Sequence, residues 1–168
     1  YSPAESITLV PDENSQQRNT IIVYYTVPLT LTAKSAKQVY NGTELTEPGF
    51  EITAGKLVNG NTLDKLTLTM TADSKITNVS ESGKANVINQ NSVRYNNGAL
   101  PPYYAVTYLD GTLTITKRSV TLTSEGGSKP YDGTALTKPE VTVGGDGFVK
   151  GEVSDIRATG SVTRVSEG

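Results

Sequence analysis

Apolar and polar residues alternate with a period of two along much of the chain, and this period is typical of strands that bury one face. The clearest alternating runs are residues 29–32, 65–71, 105–108, 112–116, 119–123 and 141–143. Asn-Gly and Asp-Gly pairs separate many of these runs, and such pairs favour tight turns because glycine readily adopts positive φ. No stretch shows a comparable helical period. The pattern therefore predicts a mainly β protein built from antiparallel strands.

Two local elements can be predicted within this pattern. Asp110-Gly111 stands between the runs AVTYL and TLTIT, so we expect a hairpin with a two-residue turn at that point. Residues 58–65 (VNGNTLDK) can hold one short helical turn, capped by Asn61 or Thr62.

The chain contains an internal repeat. Residues 29–48 match residues 120–139 without a gap at an offset of 91, and nine of the 20 aligned positions are identical. After a deletion of five residues in the second copy, residues 76–83 align with residues 162–168. The second copy has no counterpart to about the last 35 residues of the first copy. We therefore expect a complete first copy and a truncated second one.

The repeat divides the chain into three parts. Residues 28–118 form the first copy and residues 119–168 the second, with almost no linker between them. Residues 1–27 have no partner further along the chain, and we interpret them as the C-terminal strands of an upstream β domain. Their run 21–25 is apolar on both faces, so it is expected to pack on the first copy or to leave an edge open to pairing.

The spacing of the runs favours small domains in line. Each copy is expected to form an immunoglobulin-like sandwich of about seven short antiparallel strands. A β-grasp-like α+β roll with one short helix near residues 58–65 is the alternative.

Composition narrows the classes of function. Hydrophobic residues make up 35% of the chain and charged residues 19%, and the sequence has 24 Thr but no Trp, so small cores are expected. The net charge of −2 builds no field for nucleic acid, and no apolar run is long enough for a membrane helix. Cys and His are both absent, which removes disulfides, thiolate and imidazole chemistry. Composition alone leaves open an enzyme that uses carboxylates, Lys or Tyr. The acids, such as Asp64, Asp73, Glu81 and Asp110, stand singly on predicted turns or strand ends, so we expect no catalytic residue, no cofactor and no metal.

Three tyrosines are the candidates for contact with a ligand. Tyr40 and Tyr131 each open a Y-[ND]-G-T turn, where an exposed ring can stack on a sugar, although a ring beside such a turn more often packs on the sheet. Tyr103 lies in a group with Tyr95, Tyr104 and Tyr108, and strand alternation predicts at least one exposed ring there.

Two other kinds of site are weighed against an ordinary surface. Residues 143–152 combine acids and glycines but lack the D-x-D-x-D spacing of a calcium loop, so a plain turn is the better interpretation. An isopeptide bond would suit a surface domain without Cys. The lysines and asparagines considered for it are Lys34, Lys65, Lys84, Asn78 and Asn86.

The order of motifs resembles the MBG-type repeats that stand in tandem on large bacterial surface proteins. The first copy carries the Y-[ND]-G-T-x-L-T turn at residues 40–46, the N-V-S-x-x-G segment at 78–83 and the closing Y-x-V-T-Y-x-D-G-T-L-T-I-T-K motif at 104–117. The second copy carries only the opening motifs. The segment PDENSQQRNTIIVYYT before the repeats resembles the end of mucin-binding-type or Listeria-Flavobacterium-type repeats.

This resemblance implies a non-enzymatic function. The expected role is a structural stalk or spacer in an adhesin-like protein, secreted by a Gram-positive bacterium and attached to the cell wall. Its expected partners are neighbouring repeats of the same chain. The truncated copy is also expected to associate with a second molecule by strand exchange. The alternative is a module that binds a host glycan or host protein. Glycan binding would be revealed by an array, because a spacer should bind nothing on it.

Overall fold

The computed structural model describes residues 26–167, and over this range the chain is mainly β, as predicted. The first copy has nine strands: β1 (Val27–Ala33), β2 (Ala36–Val39), β3 (Phe50–Gly55), β4 (Leu66–Thr67), β5 (Lys84–Asn86), β6 (Arg94–Tyr95), β7 (Gly98–Ala99), β8 (Tyr104–Leu109) and β9 (Gly111–Thr116). The second has four: β10 (Val120–Ser124), β11 (Leu136–Thr137), β12 (Val141–Gly145) and β13 (Ser161–Val162).

Helical structure in the described range is limited to single 3₁₀ turns. They lie at Leu63–Lys65, Val79–Glu81, Gln90–Ser92 and Val165–Glu167. The first of these is the helical turn predicted within residues 58–65, and Thr62 precedes it without a capping bond from its side chain. No helix among residues 26–167 has the length and apolar character needed to cross a membrane.

Two long bent strands run side by side through the first copy. β1 pairs with β8 in parallel, and β2 pairs with β9 in parallel, at one constant offset from Val27 opposite Tyr104 to Val39 opposite Thr116. β3 adds to the free edge of β1, and β5 adds to the free edge of β9, both antiparallel. Each long strand therefore passes from one three-stranded sheet into the next. The sheets β3-β1-β8 and β2-β9-β5 are therefore mixed, whereas purely antiparallel sheets were expected.

The predicted hairpin at Asp110-Gly111 is wrong. β8 and β9 do not pair with each other, because each is paired along its length with β1 or β2. Gly111 is needed for a different reason from the one expected: it is not among the glycines with positive φ. A Cβ on Gly111 would stand 2.3 Å from the carbonyl oxygen of Lys34, so only glycine lets the two bends approach this closely.

The first copy encloses a sandwich-like core. Leu29, Leu31 and Ala33 on β1 point to the same face and pack with Leu66 of β4 and Tyr104 of β8. The three-stranded sheet β3-β1-β8 thus covers the small sheet β4-β6-β7. A second, smaller cluster forms where the long strands have changed sheets. It contains Ile76, Leu113 and Ile115, with Ala36, Tyr40, Leu45 and Val79 packed against it.

The two copies build the same turn after their tyrosine. Asn41 Oδ1 accepts hydrogen bonds from the backbone N–H and the hydroxyl of Thr43, over 2.9 and 2.7 Å. Asp132 Oδ1 accepts the same pair of bonds from Thr134, over 2.9 and 2.7 Å. The glycine within each turn has a φ of 77° in the first copy and 79° in the second.

The later aligned segments also match. Leu45 bridges Ile76 in the first copy, and the counterparts Leu136 and Val162 pair between β11 and β13 in the second. A glutamate in the following 3₁₀ turn accepts two backbone N–H groups in each copy, as Glu81 and Glu167. These bonds lower the pKa of both carboxyl groups.

The second copy differs from the first in what it buries. No residue from 118 to 167 is buried, whereas the first copy holds all ten buried apolar residues of the described range. The strand β1 begins at Val27, one residue before the predicted start of the first copy. The orphan run 21–25 lies outside the described residues.

Candidate functional site

Arg118 lies in the short segment between β9 and β10 and connects the two copies. Its Nε donates to the carbonyl of Gly147 over 2.8 Å, and its Nη2 donates to the carbonyl of Asp146. Its Nη1 donates to the carbonyl of Tyr40, in the first copy, over 2.9 Å. Because the guanidinium is a planar, rigid set of donors, these three bonds fix the loop after β12 against the end of β2.

The same loop also holds the residue after Arg118. The backbone N–H of Ser119 donates to Asp146 Oδ2 over 2.8 Å, and the N–H of Asp146 donates to the carbonyl of Ser119 over 2.6 Å. Gly145 adopts a φ of 72°, and a Cβ there would stand 2.3 Å from the carbonyl oxygen of Ser119. The segment between the copies is therefore bonded on both sides, which limits its freedom.

Tyr40 makes a second contact across the junction. Its hydroxyl donates to Glu152 Oε1, while its half-buried ring packs on the cluster of Ile76, Leu113 and Ile115. The hydrogen bond to Glu152 raises the pKa of Tyr40 above its usual value of 10.0, and burial and the glutamate charge act in the same direction. The hydroxyl is therefore a protonated donor at neutral pH. The structure places Tyr40 in contact with the next copy, as a junction residue.

Tyr131 occupies the same position in the second copy but has different surroundings. Its ring is 70% exposed, and it lines an open cleft with Pro130, Leu136, Val162 and Val165. The turn beside it is well formed. A hydrogen bond from Lys129 is the main cause that lowers the pKa of Asp132, and the hydrogen bonds from Thr134 act in the same direction. Of the three candidate tyrosines, Tyr131 is the one with a ring open to a ligand.

Tyr103 is held inside the first copy. Its hydroxyl accepts from Asn61 Nδ2 over 2.9 Å, and its ring lies 4.8 Å, centroid to centroid, from that of Tyr104. The buried Tyr104 accepts from the same amide over 3.0 Å and from the N–H of Val58 over 2.8 Å. These bonds hold the loop before the first 3₁₀ turn. The expectation of an exposed ring is wrong for this group, because none of its four members, Tyr95, Tyr103, Tyr104 and Tyr108, is exposed.

The other candidates from the sequence do not come together. The acidic loop at 143–152 gives Asp146 and Glu152 to the junction, and the described residues contain no cluster of acids arranged as for a metal ion. The lysines considered for an isopeptide bond, Lys34, Lys65 and Lys84, are all exposed. Asn86 is fully buried, but its amide donates to the carbonyls of Lys34 and Glu47, over 2.8 Å each.

Sequence reasoning missed the two residues that join Tyr40 to the second copy, Arg118 and Glu152. The sequence did show the nearly absent linker at Lys117–Arg118, and that was the available signal. The partners of Arg118 are backbone carbonyls, which no side-chain motif can predict.

Comparison of the chain with protein-family models, with curated proteins and with solved structures finds no match.

Proposed function

We propose that this chain is a structural spacer, made of MBG-type repeats, in an adhesin-like bacterial protein of the cell surface. Its role is to hold a neighbouring domain at a defined distance and direction from the wall. It carries out no catalysis and needs no cofactor. The observation that carries the proposal is the bridge of Arg118 between Tyr40 and the loop of the second copy.

A spacer must transmit orientation from one module to the next, and the junction has the groups to do so. Arg118 supplies three hydrogen bonds, and Tyr40 adds a bond to Glu152 more than a hundred residues further along the chain. Val149 also reaches the first copy, because a Cβ on Gly42 would lie 3.0 Å from its Cγ1. Several contacts that flank a three-residue connection restrict bending far more than the connection would alone.

The stiffness of the junction can be measured with spin labels. The chain has no Cys, so Lys56→Cys and Thr137→Cys, at one exposed residue in each copy, accept labels at these two positions alone. Electron–electron double resonance should give a narrow distance distribution. Arg118→Ala should broaden it. The adjacent Lys117→Ala is the matched control, because Lys117 is exposed and its side chain makes none of the junction bonds. A distribution that is already broad with Arg118 in place would refute the proposal.

The alternative, a module that binds a host glycan or protein, now depends on Tyr131. Tyr40 is used by the junction and Tyr103 by Asn61, whereas Tyr131 is exposed beside a cleft. A glycan array tests this alternative. Binding that is lost in Tyr131→Ala would favour a lectin-like role, and an empty array would leave the spacer.

A further inference from the structure

β10 is the counterpart of β1 in the second copy, but it has a different number of neighbours. β1 lies between β3 and β8, with β8 parallel to it. β10 pairs with β12 in the same register as the second half of β1 with β3, and within the described residues its other edge pairs with nothing. The backbone groups along that edge are therefore open to another strand.

The side chains on β10 show the same difference. Leu31 of β1 is 0% exposed, whereas its counterpart Leu122 is 53% exposed. Val143, opposite Leu122 on β12, is also exposed. An apolar face that is buried in one copy is thus on the surface in the other, and such faces mark sites of association.

The next segment of the second copy has lost its strand. Residues 127–130 align with β2, but they form no strand. Within the described residues β2 pairs only with β9, whose sequence has no counterpart in residues 119–168. The backbone of β2 is thus extended through its pairing with β9, and residues 127–130 would become extended beside an equivalent strand.

The cleft beside Tyr131 identifies the side chains that such a strand would supply. In the first copy Tyr40, Leu45, Ile76 and Val79 surround Leu113 and Ile115 of β9. The lining of the cleft contains the counterparts of all four surrounding residues, which are Tyr131, Leu136, Val162 and Val165. The cleft therefore has the shape and the apolar character to receive a leucine and an isoleucine two positions apart on one strand.

We propose that β10 and residues 127–130 form a strand-accepting surface, and that its occupant is a closing strand of this repeat type, with the sequence pattern of β8–β9. The strand adds parallel to β10, with the position of Tyr108 opposite Leu122 and the position of Leu113 opposite Gly127. This is strand addition with direction and register set by the first copy.

The bend in the occupant imposes one further requirement. The N–H of Lys34 donates to the carbonyl of Gly49, and the carbonyl oxygen of Lys34 lies against Gly111. The N–H of its counterpart Glu125 donates in the same way to the carbonyl of Glu140. The carbonyl of Glu125 should then lie against the middle of the incoming strand. Glycine is required at that position, as it is at Gly111, because a larger residue would collide with the carbonyl.

A labelled peptide of residues 103–117 tests the proposal on the full chain. Fluorescence anisotropy should show saturable binding, and hydrogen exchange should show new protection at the amides of residues 127–129. The same peptide with the substitution Gly111→Val should bind at least about tenfold more weakly. Leu122→Lys in the full chain should also abolish binding, and because Leu122 is exposed in the free chain, this variant should melt like the parent protein.

A fusion of the closing segment to the chain serves where the free peptide binds too weakly or is insoluble. Residues 83–117 are appended to the chain through a flexible linker, which raises their effective concentration. Protection at residues 127–129 should appear, and it should be lost when the appended copy of Gly111 is changed to valine. The proposal is overturned if the fusion with glycine and the fusion with valine give equal protection. It is also overturned if neither the peptide nor the fusion protects these amides, or if a peptide of residues 20–26 displaces the label as well as the closing strand does.

Discussion

The carbonyl oxygen of Lys34 lies so close to the α-carbon of Gly111 that a Cβ on Gly111 would stand 2.3 Å from it. This contact lies at the bends of the two long strands, where β1 turns into β2 and β8 turns into β9. The same carbonyl accepts a hydrogen bond from the amide of the buried Asn86, so the close approach of the two bends and a polar pairing involve one backbone group. The stability of the first copy should be sensitive to changes at this point.

Gly111→Ala should destabilise the first copy by about 1–3 kcal/mol, because its methyl group overlaps two backbone carbonyls that cannot move independently of the sheets. Urea denaturation followed by circular dichroism measures the loss. Gly126→Ala is the matched control, since a Cβ on Gly126 meets nothing within 4 Å. Equal midpoints for the two variants would contradict the close approach at Gly111.

Asn86→Ala should cost roughly 1–3 kcal/mol, because it removes a fully buried amide and leaves the carbonyls of Lys34 and Glu47 without their donor. Asn91→Ala removes the same side chain from an exposed position and should change the free energy of unfolding by less than about 0.5 kcal/mol. Chemical denaturation of the two variants, side by side, makes the comparison. If Asn86→Ala unfolds at the same denaturant concentration as Asn91→Ala, the buried amide has no structural role.

The alternation of Thr with Leu, Ile and Val was enough to predict β1, β4, β8, β9, β10 and β12, which are six of the thirteen strands in residues 26–167. The repeat was visible from the match of residues 29–48 to residues 120–139. The alternation was not enough to predict how the strands pair. Asp110-Gly111 between two alternating runs fits a hairpin, and it fits equally well a bend in one strand that is paired elsewhere. The choice depends on β1 and β2, about 77 residues earlier in the chain, and local pattern carries no information on such a partner.

The candidate site was less accessible to sequence reasoning than the fold. Tyr40 and Tyr131 stand in the same motif, yet one contacts Glu152 and the other is exposed. The difference arises from what surrounds each tyrosine. Tyr40 contacts the cluster with the closing strand β9 and a residue of the second copy, and within residues 26–167 Tyr131 has no such neighbours. Arg118 acts through backbone carbonyls of loops that come together only in the folded chain.

Leu31→Ala and Leu122→Ala form a pair at equivalent positions of the repeat with opposite expected results. Leu31 is fully buried, so its truncation should cost roughly 2–5 kcal/mol. Leu122 is more than half exposed, so its truncation should change the free energy of unfolding by less than about 0.5 kcal/mol. Urea melts of the two single variants test this. Similar losses would show that Leu122 is already covered in the free chain.

The contact between Tyr40 and Glu152 should persist at neutral pH and disappear in strong alkali. The pKa of Tyr40 is raised above 10.0 in the folded chain, first by its hydrogen bond to Glu152, so the folded state holds the phenol proton more tightly than the unfolded state. The stabilisation is therefore fully present below pH 10 and is lost as the pH rises through the raised pKa. The difference in unfolding free energy between the parent chain and Tyr40→Phe, measured from pH 8 upward, should shrink toward zero over that window.

Tyr131→Phe serves as the control, because the Tyr131 hydroxyl bonds to no carboxylate within residues 26–167. The difference in unfolding free energy between Tyr131→Phe and the parent chain should not follow the curve of Tyr40→Phe. A Tyr40→Phe difference that stays constant with pH would show that the hydroxyl does not donate to Glu152 in solution.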